Sequence, residues 1–483
     1  MQLSAFNVYV EKFPVVGETL VYNTFSGGSV VLDDGYLARL REAPAEGELD
    51  PELADTELGI LVESRESEER AFHSWLRSIK EDASTVSSLV STSYACNLAC
   101  SYCLQEEIMN GQTMTVATAD ATAAFLAERV RTIRPEKVEI VFIGGEPLLH
   151  PHLVERIARG VRPAAEEVGA RFGIQLITNG TLMTPDVVRR LVDAGLNYVQ
   201  VTIDGDECSH GLTRMDKKGG NTFGTTWQNV LDCLDLVPIG IQGNYSDENL
   251  HGFVPLLERM RRDGVDPARI PRVKFKPVLN GLGAPENAGY ESCTWSNARP
   301  DVQLALGDAV RAFGYTTHDH LDLGPCAIHQ INHYSIGAEG LIYKCPGFVG
   351  KPEWATGSVT DGITARHAQH NRLANTRECG PCSFRPTCAG GCVATEWLRS
   401  GSPEGVNCER GYFDTVGVDI LKRNYFLDTL EHDDALAAIA QLPGRAQLPV
   451  ASPTQQAGRV REGAAPLVQI RSPRLRAAPE IRP

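Results

Sequence analysis

The chain has 483 residues, 42% of them hydrophobic, and a formal net charge of −15. This length predicts about two to four domains, the composition is that of a globular protein, and the acidic balance argues against generic nucleic-acid binding. No apolar run reaches the length that spans a bilayer. Residues 1–7 lack the basic and apolar regions of a signal peptide. We therefore expect a cytoplasmic protein that binds neither nucleic acid nor membrane.

The first block, residues 1–84, has the pattern of a small antiparallel meander followed by two helices. An acidic loop at residues 42–55 separates the two helical segments. The predicted strands lie at residues 6–10, 18–22 and 30–32, and the predicted helices at residues 36–41 and 66–80. This pattern indicates a small α+β unit in front of a larger domain.

Residues 85–320 alternate between strand and helix patterns. Six such β-then-α units predict a parallel sheet with helices outside it, curved into a partial (β/α)6 TIM-like barrel. A barrel of eight units closes, whereas six units leave an open side that is wide enough for a peptide. The predicted strands are 89–91, 138–143, 173–178, 198–203, 239–244 and 273–278, and the predicted helices are 116–134, 153–168, 185–194, 226–236, 248–263 and 301–312.

The C-terminal part of the chain divides into two blocks. Residues 321–425 are rich in glycine and cysteine and have little hydrophobic periodicity, so this block needs another source of stability, which metal clusters can supply. Residues 426–483 continue a predicted helix at 417–432 with a short helical pattern at 433–442. A tail rich in Pro, Gln, Ala and Arg follows, and its composition is typical of disorder.

Three cysteines follow the first predicted barrel strand. Cys96, Cys100 and Cys103 have the spacing C-x3-C-x2-C, and a loop of this length can bring three thiolates to one metal centre. Structural zinc and electron-carrying iron–sulfur clusters use four protein ligands, so three thiolates leave one iron of a [4Fe-4S] cluster open. The alternatives are a zinc knuckle that lacks a ligand and three unrelated buried cysteines.

This spacing, with Tyr102 directly before the third cysteine, resembles that of the radical S-adenosylmethionine (SAM) enzymes. The resemblance implies that the open iron of a [4Fe-4S] cluster chelates the amino and carboxylate groups of SAM. An electron from the cluster then breaks a carbon–sulfur bond of SAM and releases a 5′-deoxyadenosyl radical. A motif of this kind is a hypothesis that needs structural context.

The second and third predicted strands are followed by polar motifs at the same end of the sheet. After the second strand come Gly144, Gly145, Glu146 and Pro147, which resemble the family motif for the SAM amino group. The glycines let the backbone approach a ligand closely, and Glu146 can accept hydrogen bonds from an ammonium group. After the third strand, Thr178 and Asn179 occupy positions that hold the ribose hydroxyls in the family. Ordinary turns are the alternative for both motifs.

The fourth predicted strand ends in a segment that resembles the family pattern I-D-G-x4-H-D-x2-R. Asp204, His210 and Arg214 match this pattern, and Gly211 departs from it where an aspartate is usual. The resemblance makes Asp204, His210 and Arg214 the candidate catalytic side chains on the substrate side of the barrel.

Seven cysteines in the C-terminal block match the SPASM extension of radical SAM enzymes. The resemblance assigns Cys379, Cys382, Cys388 and Cys408 to one auxiliary [4Fe-4S] cluster, and Cys326, Cys345 and Cys392 to a second. The fourth position of the second cluster is then open or filled from elsewhere. His329 and His333 are alternatives for it, although buried and hydrogen-bonded histidines are commoner than ligands. A zinc site is the alternative for the whole set.

Three cysteines belong to neither set. Cys233 has the surroundings of a core residue in a helix. Cys208 lies close in sequence to the suspected pocket, and we expect it to be buried and inert, with a functional thiol as the alternative. Cys293 has no assigned role.

The resemblance as a whole implies a radical SAM/SPASM enzyme that takes a hydrogen atom from a peptide or protein side chain. We expect a maturase that cross-links a residue of a ribosomally made precursor peptide, with flavodoxin or ferredoxin as electron donor. In this interpretation the N-terminal block resembles a leader-recognition domain, which adds a peptide to a sheet edge; alternatively it caps the open end of the barrel. Alternative functions are a sulfatase-type maturase that forms formylglycine and a non-catalytic iron–sulfur or peptide-binding protein.

Overall fold

A computed structural model of the protein describes most of the chain. The described residues are 1–42, 58–103, 108, 110–278, 299–317, 321, 324, 326–370, 379–401, 405–443 and 446–448. Most of the predicted acidic loop, Cys293 and the predicted tail beyond residue 448 lie outside them. Within the described ranges no helix is both long and apolar enough to cross a membrane.

The N-terminal block forms a three-stranded antiparallel sheet and two helices. β2, β3 and β4 pair in that order, so β2 and β4 are the edges of this sheet as described. A separate pair, β1 and β5, lies beside it. The elements are β1 (Gln2–Leu3), β2 (Asn7–Glu11), β3 (Glu18–Asn23), β4 (Ser29–Asp33), α1 (Asp34–Glu42), β5 (Leu61–Val62) and α2 (Arg65–Lys80).

Six parallel strands and their helices form the barrel domain. The strand order β11-β10-β9-β8-β7-β6 follows the chain in reverse, as expected when each strand is added beside the previous one. The strands are β6 (Thr85–Ser91), β7 (Lys137–Ile143), β8 (Arg171–Thr178), β9 (Leu196–Thr202), β10 (Ile239–Tyr245) and β11 (Val273–Pro277). The helices are α3 (Val116–Ile133), α4 (Pro151–Val168), α5 (Pro185–Asp193), α6 (Glu207–Thr213), α7 (Phe223–Cys233), α8 (Phe253–Arg262) and α9 (Pro300–Ala312).

The main hydrophobic core lies between this sheet and its helices. Strand residues such as Ile140, Leu176 and Val201 contact helix residues such as Ile157 and Leu191 within one continuous cluster. Helix ends carry the expected stop and start signals: Pro151 begins α4, and Gly169 ends it in the left-handed conformation. The partial α/β barrel predicted from the sequence is confirmed.

The C-terminal block is built onto the barrel sheet. β12 (His333–Ile336) pairs in parallel with β6, and β13 (Leu341–Tyr343), β14 (Gly357–Ser358) and β15 (Gly362–Ile363) continue the sheet in antiparallel fashion. The sheet therefore has ten strands instead of the six expected. The remaining helices are α10 (Ala365–His370), α11 (Arg385–Cys388), α12 (Val393–Ser400), α13 (Arg410–Tyr412), α14 (Val418–Thr429) and α15 (His432–Ile439).

The N-terminal block packs against the C-terminal block. Phe6 and Phe72 share a cluster with Ala389, and Phe13 contacts the rings of Tyr425 and Phe426 at centroid distances of 5.4 and 5.2 Å. A cap on the open end of the barrel was one of the two expectations for this block. The contacts of these aromatic residues join it to the C-terminal helices, and Val8 also shares a hydrophobic cluster with Leu304 of α9 in the barrel domain.

Candidate active site

The three-cysteine loop lies at the carboxyl end of β6 and is held by its neighbours. Backbone N–H groups of Ala99 and Ser101 donate to the carbonyls of Met215 and Thr213 at 2.8 and 3.1 Å. Leu98, buried between the first two cysteines, forms a bridge with Asp216. The loop is therefore anchored on the segment that follows α6, where the sequence places Arg214.

Gly144 and Gly145 follow β7 and pack on the cysteine loop. The N–H groups of Gly145 and Glu146 donate to the carbonyls of Ser93 and Ala95, both at 2.9 Å. A Cβ atom at Gly145 would overlap the Ala95 carbonyl and lie 3.0 Å from the backbone nitrogen of Cys96. The sequence predicted that these glycines admit a ligand. In the structure the backbone that approaches them is that of the cysteine loop.

The Glu146 carboxylate is fully buried and receives three hydrogen bonds from the protein. Oε1 accepts from the backbone N–H of Leu148 at 2.9 Å and the hydroxyl of Thr178 at 2.7 Å, and Oε2 accepts from the N–H of Asn179 at 2.8 Å. Burial raises its pKa, and these donors oppose that effect. Pro147 is buried at the start of a short 3-10 helix. Glu146 thus joins the ends of β7 and β8.

Asn179, predicted to contact the ribose, lies against the cysteine loop. Its amide nitrogen is 3.8 Å from the sulfur of Cys96 and donates to the Asn97 side chain at 2.9 Å. Its oxygen accepts from the N–H of Thr181 at 3.0 Å. An amide N–H directed at a cysteine sulfur stabilises the thiolate form.

A buried polar network joins the cysteine loop to the ends of β9 and β10. The Tyr102 hydroxyl donates to Asp204 at 2.5 Å and accepts from Arg214 at 2.7 Å and from the Asn244 amide at 3.1 Å. Asp204 is fully buried and also accepts from the Thr213 hydroxyl and the Asn244 N–H. Burial raises the Asp204 pKa, while Arg214 lowers it. Three of the predicted residues, Tyr102, Asp204 and Arg214, therefore lie together.

His210 has both ring nitrogens bound within the protein. Nδ1 accepts from the N–H of Asp204 at 3.3 Å, and Nε2 lies 3.1 Å from the Thr222 hydroxyl, which itself donates to the Arg214 carbonyl. Burial lowers the His210 pKa to about 3, so the ring is neutral. This arrangement fits a residue that positions the backbone of Asp204 and Arg214.

Gly211 departs from the family pattern because another side chain fills its place. A Cβ atom at Gly211 would lie 2.6 Å from the amide nitrogen of Asn221. That amide donates to the Glu207 carbonyl at 2.7 Å. Asn221 thus packs on Gly211 and binds the carbonyl of the first residue of α6, and an aspartate at residue 211 would displace it.

The donor set at the cysteine loop suits a cationic cluster and an anionic ligand group. Burial raises the pKa of Cys96 and raises that of Cys100 to about 11, so these thiols need a positive partner such as iron to ionise. The Nε atom of Arg214 is buried without a hydrogen-bond partner in the described structure. Such a donor matches the carboxylate of an amino-acid group.

Six of the seven C-terminal cysteines lie in two groups. Cys326, Cys345 and Cys392 act electrostatically on one another's thiols, and Cys345 and Cys392 share a hydrophobic cluster. Burial raises the pKa of the Cys388 thiol, and the neighbouring Glu409 and Cys379 raise it further. Cys382 packs with Cys388 on a second cluster and bonds to Arg410, two residues after Cys408.

No three His, Cys, Asp or Glu side chains among the described residues converge on a single metal ion. The irons of a four-iron cluster occupy separate corners, so its thiolates stand farther apart than the ligands of one ion. The grouping of the C-terminal cysteines is compatible with that wider spacing, and burial of Cys388, which raises its pKa to about 12, again calls for a cationic partner.

His329 and His333 differ in their surroundings. Nδ1 of His333 lies 2.9 Å from the Ser87 hydroxyl and Nε2 lies 3.4 Å from that of Ser335, so this ring is fully used. Nδ1 of His329 is buried without a partner in the described structure. Of the two, only His329 keeps a nitrogen available.

The two remaining described cysteines have different environments. Cys233 is fully buried, as predicted, and lies 3.3 Å from the Met183 carbonyl. Cys208 is exposed, so the prediction of a buried thiol was wrong. Cys208 lies on the outer side of α6, whereas Ser209, His210 and Thr213 of the same helix are buried.

Asn97 and Asn244 complete the site, although the sequence motifs did not include them. Asn97 accepts from Asn179 and donates to Thr181 at 2.8 Å. Asn244 lies near the carboxyl end of β10. Motifs follow the preceding four strands at the same edge of the sheet, so the sequence could have marked Asn244 as a site residue by its position.

Comparison with known proteins supports this interpretation of the site. Residues 90–246 match the model of the radical SAM superfamily. GTP 3′,8-cyclase of Mycobacterium marinum is 35% identical over 130 residues, which cover 26% of this chain and 34% of that protein. The chain thus spans about a third of the length of that relative.

Two longer matches extend beyond the matched domain. The PqqA peptide cyclase of Rhodopseudomonas palustris is 26% identical over 340 residues, 65% of this chain and 83% of that protein. The serine-type anaerobic sulfatase-maturating enzyme of Klebsiella aerogenes is 24% identical over 332 residues, 62% of this chain and 77% of that protein.

Solved structures share the fold. Native anSMEcpe with bound AdoMet and Cp18Cys peptide has a TM-score of 0.54 at 17% identity, and the match covers 71% of this chain and 99% of that one. SuiB of Streptococcus suis bound to the precursor peptide SuiA has a TM-score of 0.50 at 14% identity, covering 84% and 98%. The matched family model identifies residues 90–246 as a radical SAM domain, and the cysteine loop lies within it.

Proposed function

We propose that this protein is a radical SAM peptide maturase that oxidatively modifies, by cross-linking, a residue of a ribosomally made precursor peptide. The observation that carries the proposal is the meeting of five strand ends at one edge of the barrel. There the cysteine loop, Glu146, Asn179, Asp204 and Asn244 are linked by hydrogen bonds to one another or to the loop. Four of these five segments were identified from sequence motifs alone.

Cys96, Cys100 and Cys103 would hold the [4Fe-4S] cluster, and Asn179 would stabilise the Cys96 thiolate through its amide N–H. The bound cluster and SAM together would supply a 5′-deoxyadenosyl radical that abstracts hydrogen from carbon. The cofactor's ammonium group would lie near the 144–147 segment, where Oε2 of Glu146 retains one free acceptor position beside its bond to Asn179.

Arg214 would bind the carboxylate of SAM through its unpaired Nε. Its Nη1 already donates to the Tyr102 hydroxyl. Its backbone carbonyl accepts from the Thr222 hydroxyl, which His210 orients. Asp204 balances the charge of Arg214 and stays out of contact with solvent. In this proposal Asp204 and His210 are positioning residues, while Arg214 touches the cofactor.

The C-terminal block would hold two auxiliary iron–sulfur clusters of the SPASM type. Cys379, Cys382, Cys388 and Cys408 would bind one, and Cys326, Cys345 and Cys392 the other, with the free Nδ1 of His329 as a further donor to consider. These groups would take electrons from the oxidised substrate or bind it directly. A flavodoxin or ferredoxin would reduce the SAM-binding cluster.

The block at residues 1–84 would capture the leader of the precursor peptide. β4 is an edge of its sheet as described. The backbone N–H of Asn23 donates to the carbonyl of Gly28. Hydrogen-bonded and non-hydrogen-bonded pairs alternate along an antiparallel ladder. In the β3–β4 register, the backbone N–H and C=O groups of Ser29, Val31 and Asp33 therefore point away from β3. An extended peptide can add to such an edge.

The choice of a peptide substrate rests on the relative named PqqA peptide cyclase, which matches this chain over 340 residues. The second candidate is a maturase that forms formylglycine in a sulfatase. It is favoured by the match to the serine-type sulfatase-maturating enzyme, although that match covers slightly less of both chains.

Anaerobic reconstitution of the full chain with iron, sulfide, SAM and a reductant tests the proposal. We expect 5′-deoxyadenosine, which Cys100→Ala abolishes and the exposed-site control Cys208→Ala retains. Absence of this product while the clusters are present would overturn radical chemistry.

A short peptide encoded beside the gene should then lose two hydrogens. Its new cross-link should not be cleaved by a thiol reductant. A hydrazide-reactive aldehyde in a sulfatase-derived peptide would favour the second candidate instead.

A further inference from the structure

The turn between β12 and β13 lies beside the start of the cysteine loop. β12 pairs in parallel with β6, and the register aligns Ile336 with Val90. The turn at residues 337–340 therefore reaches the level of residues 91–94. Glu339, at this turn, has no part in the motifs or in the site described above.

Glu339 accepts hydrogen bonds from two buried tyrosines that come from different parts of the chain. The Tyr94 hydroxyl donates to Oε2 at 2.5 Å, and the Tyr343 hydroxyl donates to Oε1 at 2.6 Å. The backbone N–H of Ala338 donates in turn to the Tyr94 hydroxyl at 3.2 Å. Tyr94 and Tyr343 are 3% and 0% exposed, so water does not compete for these bonds.

The two tyrosines lie close in sequence to cysteines of different blocks. Tyr94 lies two residues before Cys96, and Tyr343 lies two residues before Cys345. Each tyrosine is thus next to a proposed ligand of a different cluster, one in the barrel and one in the C-terminal block. A single carboxylate joins the two ligand-bearing segments.

The local backbone is shaped around the carboxylate. A Cβ atom at Gly337 would overlap Glu339 and lie 2.5 Å from the Tyr94 hydroxyl. Burial and the neighbouring carboxylate both raise the pKa of each tyrosine, so both phenols keep the protons that they donate. Hydrogen bonds between a neutral donor and a carboxylate are stronger than neutral ones.

We propose that Glu339 is a positioning residue that fixes the cysteine loop of the barrel relative to the Cys345 segment, and so sets the relation between the SAM-binding cluster and an auxiliary cluster. The inference rests on the ligand sets of the proposed function. Electron transfer and substrate placement between two clusters both depend on their separation, so a rigid tie between their ligand segments serves either role.

Hydrogen exchange on the full-length protein without metal provides the first test. Tyr343→Phe breaks one arm of the tie, and we expect amides of residues 92–96 to exchange roughly tenfold faster, which is the effect of losing one charge-assisted bond. Glu339→Gln and Gly337→Ala should loosen both segments. Tyr198→Phe is the matched control, because the buried Tyr198 hydroxyl has no partner in the described structure. If Tyr343→Phe speeds amide exchange only at residues 337–345, the proposal is overturned.

Pulsed electron paramagnetic resonance on the reconstituted, reduced protein provides the second test. We expect Glu339→Gln to broaden the distribution of distances between the SAM-binding and auxiliary clusters at unchanged iron content, and Tyr198→Phe to leave it as in the wild type. An unchanged distribution in Glu339→Gln would contradict the inference. Failure to bind iron at Cys96 or Cys345 would instead count against the proposed function, and the exchange result would still decide whether the tie exists.

Discussion

Arg385 of the C-terminal block and Glu69 of the N-terminal block form a two-pronged ion pair. Nη1 and Nη2 donate to the two carboxylate oxygens at 2.6 and 2.5 Å, and Arg385 lowers the Glu69 pKa. The guanidinium also lies over the rings of Phe6 and Phe72, 5.2 and 5.0 Å from their centroids. One side chain therefore makes both an ion pair and two ring contacts between the blocks.

Arg385→Ala should destabilise the protein by about 2–3 kcal/mol, because it removes a bidentate pair, two ring contacts and a buried aliphatic stem. Since Glu69 is 43% exposed, the pair itself should account for only about 1 kcal/mol in a double-mutant cycle with Glu69→Ala. Urea unfolding of the metal-free protein measures both. Arg189→Ala, which breaks an exposed pair with Asp186, is the control. Equal losses of stability in Arg385→Ala and Arg189→Ala would refute the role given to Arg385.

Glu146→Gln should cost about 1–3 kcal/mol of folding free energy, since the new amide N–H₂ must face one of three protein donors. We also expect weaker SAM binding by the reconstituted protein, because Thr178 and Asn179 lose the carboxylate that aligns them. Denaturant unfolding and calorimetric titration with SAM check the two parts. Glu166→Gln changes an exposed carboxylate and should alter neither; a wild-type affinity in Glu146→Gln would show that the carboxylate is dispensable.

Gly145→Ala should prevent the cysteine loop from closing, because the added methyl group meets the backbone of Ala95 and Cys96. We expect the reconstituted protein to lose about four irons per chain and to retain the auxiliary clusters. Gly224→Ala adds a methyl group where nothing lies within 4 Å and should bind the full complement. Iron and sulfide analysis decides, and full loading of Gly145→Ala would exclude the steric explanation.

Acid should destabilise the protein in part through His210. Its folded pKa is about 3, against an ordinary 6.5, so below about pH 6.5 the unfolded chain binds a proton that the folded chain does not. The stability contribution of the neutral ring is complete above that pH and falls as the pH decreases toward 3.

His210→Gln removes this linkage and keeps a donor for Thr222. We expect the pH slope of its unfolding free energy between pH 6.5 and 5 to be shallower than that of the wild type by about one proton. Other titrating groups cancel in the comparison of the two proteins. Equal slopes in the two proteins would mean that His210 is protonated when the protein is folded.

The six barrel strands were predictable from the sequence, because buried parallel strands leave dense apolar runs and the helices between them have a clear period. β7, for instance, was expected at 138–143 and spans Lys137–Ile143. β12 was missed. His333, Tyr334 and Ser335 do not form an apolar run, and the partner strand lies some 246 residues earlier in the chain.

The site was predictable to the level of residue identity but less so to the level of contacts. The motifs located Glu146, Asn179 and Asp204 at one edge because each follows a strand of the same parallel sheet. They did not reveal that Gly145 packs on the cysteine loop or that Glu146 is bound by three protein donors. Those contacts arise from loops that meet only in the folded chain.

The continuation of the barrel sheet by β12 bears on how the chain can be divided. A chain shortened before residue 326 would leave the backbone of β6 bare along one side, and a bare strand of this kind pairs readily with another copy. Dissection at the boundary between the barrel domain and the C-terminal block should therefore yield aggregates. The barrel domain is therefore inseparable from the C-terminal block that completes its sheet.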